Sequence, residues 1–431
     1  MKTKILLILA PLVLLTVAWK ILETAPDYSE TSRTLTPESG CVFMTVMGEQ
    51  SSENFSMYKN NENLQLAVRD GLSWLSKAQS SNGGYGAGNH SAQHIMDPHA
   101  VVSDPATTAM VAAAFLRSGT TLKKGVYKDH LKNAIEYLLN EVERNQNNEF
   151  IAEARNTQIQ RKLGDNIDVV LTTQFLSSLL DRDLKGLDKK RVKRALNMCV
   201  DKVQRSTDQE GKQRGAGWAG VLQSGLANSA LEAAQSVGGA VNSDVLQTMR
   251  DYQKSNYSDD GNVNTADGAG VMLYSVSGSV RATAKDARKA EKMIKEANQS
   301  GAINDEVVTV ENLKKAGMTE TEAIEYNTSY NVYQSAKQTA QREDVVSGFG
   351  NNGGEEFLSF LQTGESLAVN DDNDWRKWYD DMSGRILKIQ NQDGSWNGHH
   401  CITSPVFCTA TSLLLLTIEN DINYLKEMGE E

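Results

Sequence analysis

The sequence predicts an all-α fold: an (α/α)6 toroid of inner and outer helices behind an N-terminal targeting segment and a polar tether. Three observations carry this. A Gln followed by a Gly-rich turn ends several apolar segments. The helices on either side of these turns alternate between two compositions. About six such pairs fit in the 431 residues.

The turn is clearest at Gln390-Asn391-Gln392-Asp393-Gly394-Ser395-Trp396, where Asp-Gly supplies the positive-φ position. Gln79 leads likewise into Ser80-Ser81-Asn82-Gly83-Gly84-Tyr85, and Gln253 into Asp259-Asp260-Gly261-Asn262. Gln204 leads through a longer polar stretch to Gly215-Ala216-Gly217-Trp218. A period of this kind decides a fold before any single element does.

Six stretches mix Leu, Val and Phe with Ala, Ser, Thr or Gly: 104–118, 167–180, 226–237, 265–278, 354–363 and 406–418. Small residues suit helices crowded on both sides. The helices preceding them carry Lys, Arg and Glu on one face, as surface helices do. One class is therefore inner and the other outer.

In chain order, residues 1–23 read as a targeting segment. Lys2 and Lys4 precede an apolar run, Ile5 to Trp19, that is shorter than the ~20 residues of a spanning helix. A cleaved signal peptide and an uncleaved anchor are both compatible with this run. Residues 24–60 are a polar tether, and 61–431 the toroid domain. The bulk of the chain is expected outside the cytoplasm, with membrane contact only through the N-terminal segment. Exported cysteines pair readily, and Cys401 and Cys408 bracket a short loop, so a local disulfide is expected there. Cys199 reads as a buried small hydrophobe. The partner of Cys41 is not deducible. From Arg281 to Glu343 the repeat lapses. Ala284 to Ala297 reads as one helix, and Thr319 with Glu322 as a capping box opening another.

The net charge of −11 argues against nucleic-acid binding, which requires a basic patch. Five of the six histidines fall in two loops: His90, His94 and His99 after the first outer helix, His399 and His400 after the last. Both loops run from an outer to an inner helix, so a closed ring places them side by side. Imidazoles beside carboxylates suit a divalent metal or a general base. The plainer reading, loop histidines satisfied by carbonyls or solvent, stands beside it. Glu355 and Glu356 open an inner helix; they are further catalytic candidates alongside His399 and His400, or else favourable partners of the helix dipole. Trp396, Trp218 and Tyr85, the aromatics of the turns, are the ligand-binding candidates.

The Gln-x-x-Asp-Gly-Ser-Trp turn at Gln390 to Trp396 resembles the repeat of squalene and oxidosqualene cyclases and of protein prenyltransferase β subunits. Gln79 with Gly83-Gly84-Tyr85 and Gln253 with Asp260-Gly261 are partial matches, and the likeness extends over about residues 60 to 425. It implies the terpenoid cyclase-like toroid, with the repeat's Gln and Trp tying helix ends together. It implies function poorly, because function lives in sites. The class II cyclase acid, Asp-x-Asp-Asp, is replaced here by Asp371-Asp372-Asn373-Asp374, which reads as the N-cap of the next outer helix. In prenyltransferases zinc is held by Asp, Cys and His near the mouth, and no stretch here reproduces that motif. Gly353-Gly354-Glu355-Glu356 lacks the Cys that thioester toroids need. The expectation is therefore an exported or membrane-anchored toroid that binds or scaffolds an apolar, glycan or protein ligand. The alternative is a hydrolase or lyase using a His/carboxylate site at the mouth, with a terpenoid cyclase a weaker variant of it.

Overall fold

The computed structural model describes residues 61 to 430, apart from 183, 259 and 260. The expected targeting segment, the tether and Cys41 lie outside the described residues. Among those described there are sixteen α-helices and no strand. None of these helices is long and apolar enough to cross a membrane.

In chain order they are α1 (Asn61–Lys77), α2 (Pro105–Arg117), α3 (Lys128–Arg144), α4 (Gln158–Lys162), α5 (Ile167–Asp181), α6 (Lys189–Ser206), α7 (Gly220–Ser236) and α8 (Ser243–Ser255). Then follow α9 (Met272–Gln299), α10 (Val310–Lys315), α11 (Glu320–Ala340), α12 (Glu343–Val346), α13 (Gly354–Asn370), α14 (Trp375–Lys388), α15 (Pro405–Leu416) and α16 (Ile422–Glu430).

The two compositions produce two kinds of burial. Every residue of α15 is buried, and nearly every residue of α13 and α7. By contrast α3 buries one face, including Leu131, Ile135, Leu138 and Val142, and turns Lys132, Glu136 and Glu143 outward. The small-residue helices start cleanly. Asp104 caps α2 by accepting from Thr107 N at 2.7 Å, and Ser404 caps α15 by accepting from Phe407 N at 3.3 Å; a Pro follows each cap.

The small-residue helices form a cycle of contacts. α2 packs on α5, α5 on α7, α7 on α9, α9 on α13, α13 on α15, and α15 returns to α2. The amphipathic helices lie against them: α3 on α2, α6 on α5, α8 on α7 and α9, α11 on α9, α14 on α13 and α15, and α1 on α15. One residue from each helix of the cycle (Ala109, Leu171, Ser229, Arg281, Leu361 and Leu414) lines a cavity of about 70 Å³ that α16 also borders through Tyr424 and Met428. Beside this cavity, Arg117 is paired with Glu365 at 2.6 Å and with Asp421 at 2.8 Å.

The recurring turn has one hydrogen-bond pattern in all four places. A backbone N–H donates to the carbonyl four residues on, and the Gly between donates back. The pairs are Ser80 to Gly84 with Gly83, Asp208 to Lys212 with Gly211, Ser258 to Asn262 with Gly261, and Asn391 to Ser395 with Gly394. Those glycines have φ of 86°, 87°, 82° and 95°, the region that favours glycine. The second turn is thus Asp208 to Lys212, whereas the sequence match had been to Gly215–Trp218. Gln79 Nε2 donates to Gly83 O and to His130 O, both at 2.9 Å. Gln390 Nε2 donates to Gly394 O at 2.7 Å and to Ala67 O at 2.9 Å. Gln79 and Gln390 therefore each close their own turn and hold a neighbouring helix. For Gln390 that neighbour is α1, the first helix described.

Three expectations are corrected. Residues 272–278 of the stretch 265–278 and the stretch 284–297 belong to one long helix, α9. Gly278 does not end it; a Cβ there would stand 2.2 Å from Gln253 Oε1, so the glycine permits close packing. The acidic run 371–374 does not cap α14 through Asp374, which makes no side-chain cap. Asp371 instead ends α13 with φ 61°, and Asp372 accepts from Lys337 Nζ at 2.6 Å and Tyr333 OH at 2.9 Å. The Cys401–Cys408 disulfide is not formed. Both are free thiols, and Cys408 Sγ donates to Ile402 O at 3.5 Å. The Thr319–Glu322 capping box is present as expected.

Candidate metal centre

Two elements build the site. One is the first turn of α13, where the Gly-rich approach Gly348–Gly353 delivers Glu355 and Glu356. The other is the loop from α14 to α15, carrying His399, His400 and Cys401. The two are stitched by backbone hydrogen bonds, Gly354 N to Ile402 O at 3.0 Å and His399 N to Asn352 O at 2.8 Å. A side chain on Gly353 would meet His400 O at 2.8 Å, so the close approach of the segments requires glycine there.

At the junction Glu355, His400 and Cys401 each turn one donor atom inward, all within 4.8 Å of one another. Ligands of one tetrahedral zinc lie about 3–4 Å apart, so a small contraction would bring these three onto one ion. His400 Nε2 lies 2.8 Å from Asn351 O, which fixes the proton on that nitrogen. His400 Nδ1 is left as the free lone pair, buried, with no hydrogen-bond partner and 3.8 Å from Glu355 Oε1. Cys401 takes φ 55°, a left-handed conformation that costs a non-glycine residue energy and concentrates at functional sites.

The carboxylates are buried and, among the described residues, unpaired by any Lys or Arg. Burial, then the charge of Glu356, pushes Glu355 up to about 7. Burial likewise pushes Glu356 up to about 7, against hydrogen bonds from Tyr274, Gly353 and Phe349. Glu356 accepts from Gly353 N at 2.9 Å and from the Tyr274 hydroxyl, and lies 3.6 Å from His400 Nε2. Burial and the Glu355 charge raise the Cys401 thiol well above its ordinary value. A carboxylate, an imidazole and a thiol with no cation among them form a set that a divalent ion would neutralise.

Beside His400 a chain of contacts passes through two exposed rings. The Phe349 ring is 5.0 Å from the His400 ring, and Trp218 is 5.6 Å beyond it, edge on. Lys162 Nζ sits 4.6 Å from the Trp218 ring. Phe349 is 51% and Trp218 48% exposed, high for large apolar side chains.

No family model matches this chain. Neither a curated protein nor a solved structure matches it.

The two histidine loops do touch: Thr403 Oγ1 donates to Gln93 O at 2.7 Å. Their histidines do not share a centre. His90 Nδ1 bonds Gln93 Nε2 at 2.6 Å, His99 Nε2 bonds Lys77 O at 2.9 Å, and His94 is exposed. Burial and the nearby Lys162 and Arg161 lower the His90 pKa. His399 is lowered too, by burial and by His400. Only His400 joins the converging set. Of the three candidate ligand-binding aromatics, Trp396 and Tyr85 are fully buried in their turns, where Thr409 and Thr108 hydroxyls accept their backbone N–H groups, and Trp218 alone is exposed. Cys401 was assigned to a disulfide on sequence grounds. Its position directly after His400 was the available signal for a ligand.

Proposed function

We propose that the protein is an exported (α/α)6 toroid of the squalene cyclase and prenyltransferase-like class, and that its function rests on a divalent transition metal held at the mouth by Glu355, His400 and Cys401. The observation that carries this is the convergence of those three donors, with His400 Nδ1 unpartnered and its Nε2 held by a carbonyl. The cycle of inner-helix contacts and the Gln turns support the toroid. Carboxylate, Cys and His are also the donor classes that the prenyltransferase resemblance implies, here contributed at different positions.

Three protein ligands leave one position open, the arrangement of catalytic rather than structural zinc. We therefore favour the enzyme reading, a hydrolase or lyase. A bound metal would supply Lewis acidity and acidify a coordinated water. Glu356, with its carboxyl near neutrality, holds or releases a proton beside it, and Tyr274 fixes its orientation. A non-catalytic binding protein is the second reading. The cavity of about 70 Å³ favours it over a cyclase, because that space holds a few waters and no polyprenyl chain.

The test is metal analysis of the purified chain after zinc loading and desalting. One zinc per chain is expected. His400→Ala and Cys401→Ser should each lose it with the helical circular-dichroism signal unchanged. Wild-type protein that retains no more zinc than His400→Ala refutes the reading.

A further inference from the structure

We propose that the metal centre opens onto a subsite for an elongated anion: a metal-coordinating head at the open position, an apolar body across Phe349 and Trp218, and a carboxylate at Lys162. This rests on the metal reading above and adds the chemical class of the ligand.

The geometry is a chain of contacts. It begins at the His400 ring, passes Phe349 at 5.0 Å and Trp218 at a further 5.6 Å, and ends at Lys162, 4.6 Å from the Trp218 ring. The two aromatic rings are half-exposed although the neighbouring backbone is firmly placed. Trp218 N donates to Arg161 O at 3.3 Å, which ties its backbone to the last turn of α4. Phe349 N donates to Glu356 Oε1 at 3.4 Å, which ties the other ring to the carboxylate at the metal centre. Exposed aromatic faces of this size, held rigidly beside polar donors, mark ligand sites.

The charge points the same way. Among the described residues Lys162 makes no ion pair. Its field and that of Arg161 reach His90 on one side, and that of Lys162 reaches Cys401 on the other. In a chain of net charge −11 these two cations sit together beside the exposed rings. A cation without an ion-pair partner beside exposed rings selects an anion, and the metal selects a second, coordinating group. A chain with a metal-coordinating head and a separate carboxylate satisfies both; a neutral hydrocarbon satisfies neither.

The experiment titrates the full chain, zinc-loaded and zinc-free, with two probes of equal length: suberic acid monohydroxamate, which carries the distal carboxylate, and octanohydroxamate, which lacks it. Both should bind the zinc form and neither the zinc-free form. Trp218→Ala and Phe349→Ala should weaken both probes, about tenfold each, the scale of losing one aromatic contact. Lys162→Gln should weaken the carboxylated probe roughly threefold to fivefold, the scale of an exposed ion pair, and leave the other unchanged. If zinc binds stoichiometrically yet the three variants bind both probes as the wild type does, the subsite is wrong and the metal centre stands. If no zinc binds, the metal reading fails and the subsite with it.

Discussion

Replacing Glu356 by Gln should change the pH dependence of stability in a defined direction. Glu356 is fully buried, and its carboxyl is pushed from 4.5 up to about 7, first by burial. Below pH 4.5 it is neutral in both folded and unfolded chains. Between pH 4.5 and 7 the unfolded chain ionises while the folded one keeps its proton, so ionisation draws the equilibrium toward unfolding. Above pH 7 both are ionised and the folded state bears the full cost. The shift corresponds to about 3 kcal/mol. Gln is close in size and carries no charge, so it is free of this dependence. It also removes the charge that helps raise Glu355, which enlarges the difference slightly. The loss of acceptors for Gly353 N and Tyr274 OH is a constant offset at every pH. The assay is urea unfolding of both proteins in chelator from pH 4 to pH 8. The stability of wild type minus Glu356→Gln should fall by about 3 kcal/mol across that range. A flat difference means Glu356 is not desolvated. A difference that rises with pH means a cation holds it ionised, and either result refutes the account of the site.

Other consequences follow from the packing. Gln390→Ala removes hydrogen bonds to Ala67 O and Gly394 O and should lower the unfolding free energy by about 2–3 kcal/mol in urea melts, with Gln79→Ala behaving alike. Gly364→Ala places a Cβ 2.3 Å from the Trp378 ring; despite the helix-propensity gain of about 1 kcal/mol it should destabilise by about 1–3 kcal/mol and lower Tm. Arg117→Met leaves Glu365 without its guanidinium and Asp421 with Arg182 alone, and should cost about 3–5 kcal/mol by the same melts.

The helical fold was readable because its signals are local. Small residues along α15 and Lys and Arg along α6 assign each helix to the inside or the outside without knowledge of its neighbours. The Gln turns were readable where Gln and Gly are close, at Gln79 and Gln390. They were misplaced at Gln204, where Gly211 carries the turn and Gly215 lies in a different loop. The join of 265–278 to 284–297 was missed because Gly278 resembles a stop, and only the side chain of Gln253, on another helix, shows why a glycine is there. Glu355, Glu356 and His400 were each recognisable as candidates. Their grouping was not, since it depends on Gly353 allowing one loop onto another 47 residues away in sequence, the separation of Glu355 and Ile402. The acidic run at Asp372 was misread for the same reason: its partner Lys337 lies on α11, and spacing cannot announce a partner on another helix.

The contact of α15 with α2 has a consequence for how the chain is made. Synthesis is vectorial, so α2 leaves the ribosome long before Pro405–Leu416 exists to cover one of its flanks. Until then an apolar face of α2, and the matching face of α13, stay bare. Closure is a contact between distant parts of the sequence, a class that folds slowly and leaves sticky intermediates. A nascent chain of this design needs a holdase until Pro405–Leu416 has been made. Truncation short of Leu416 should then yield aggregates in place of a smaller folded protein.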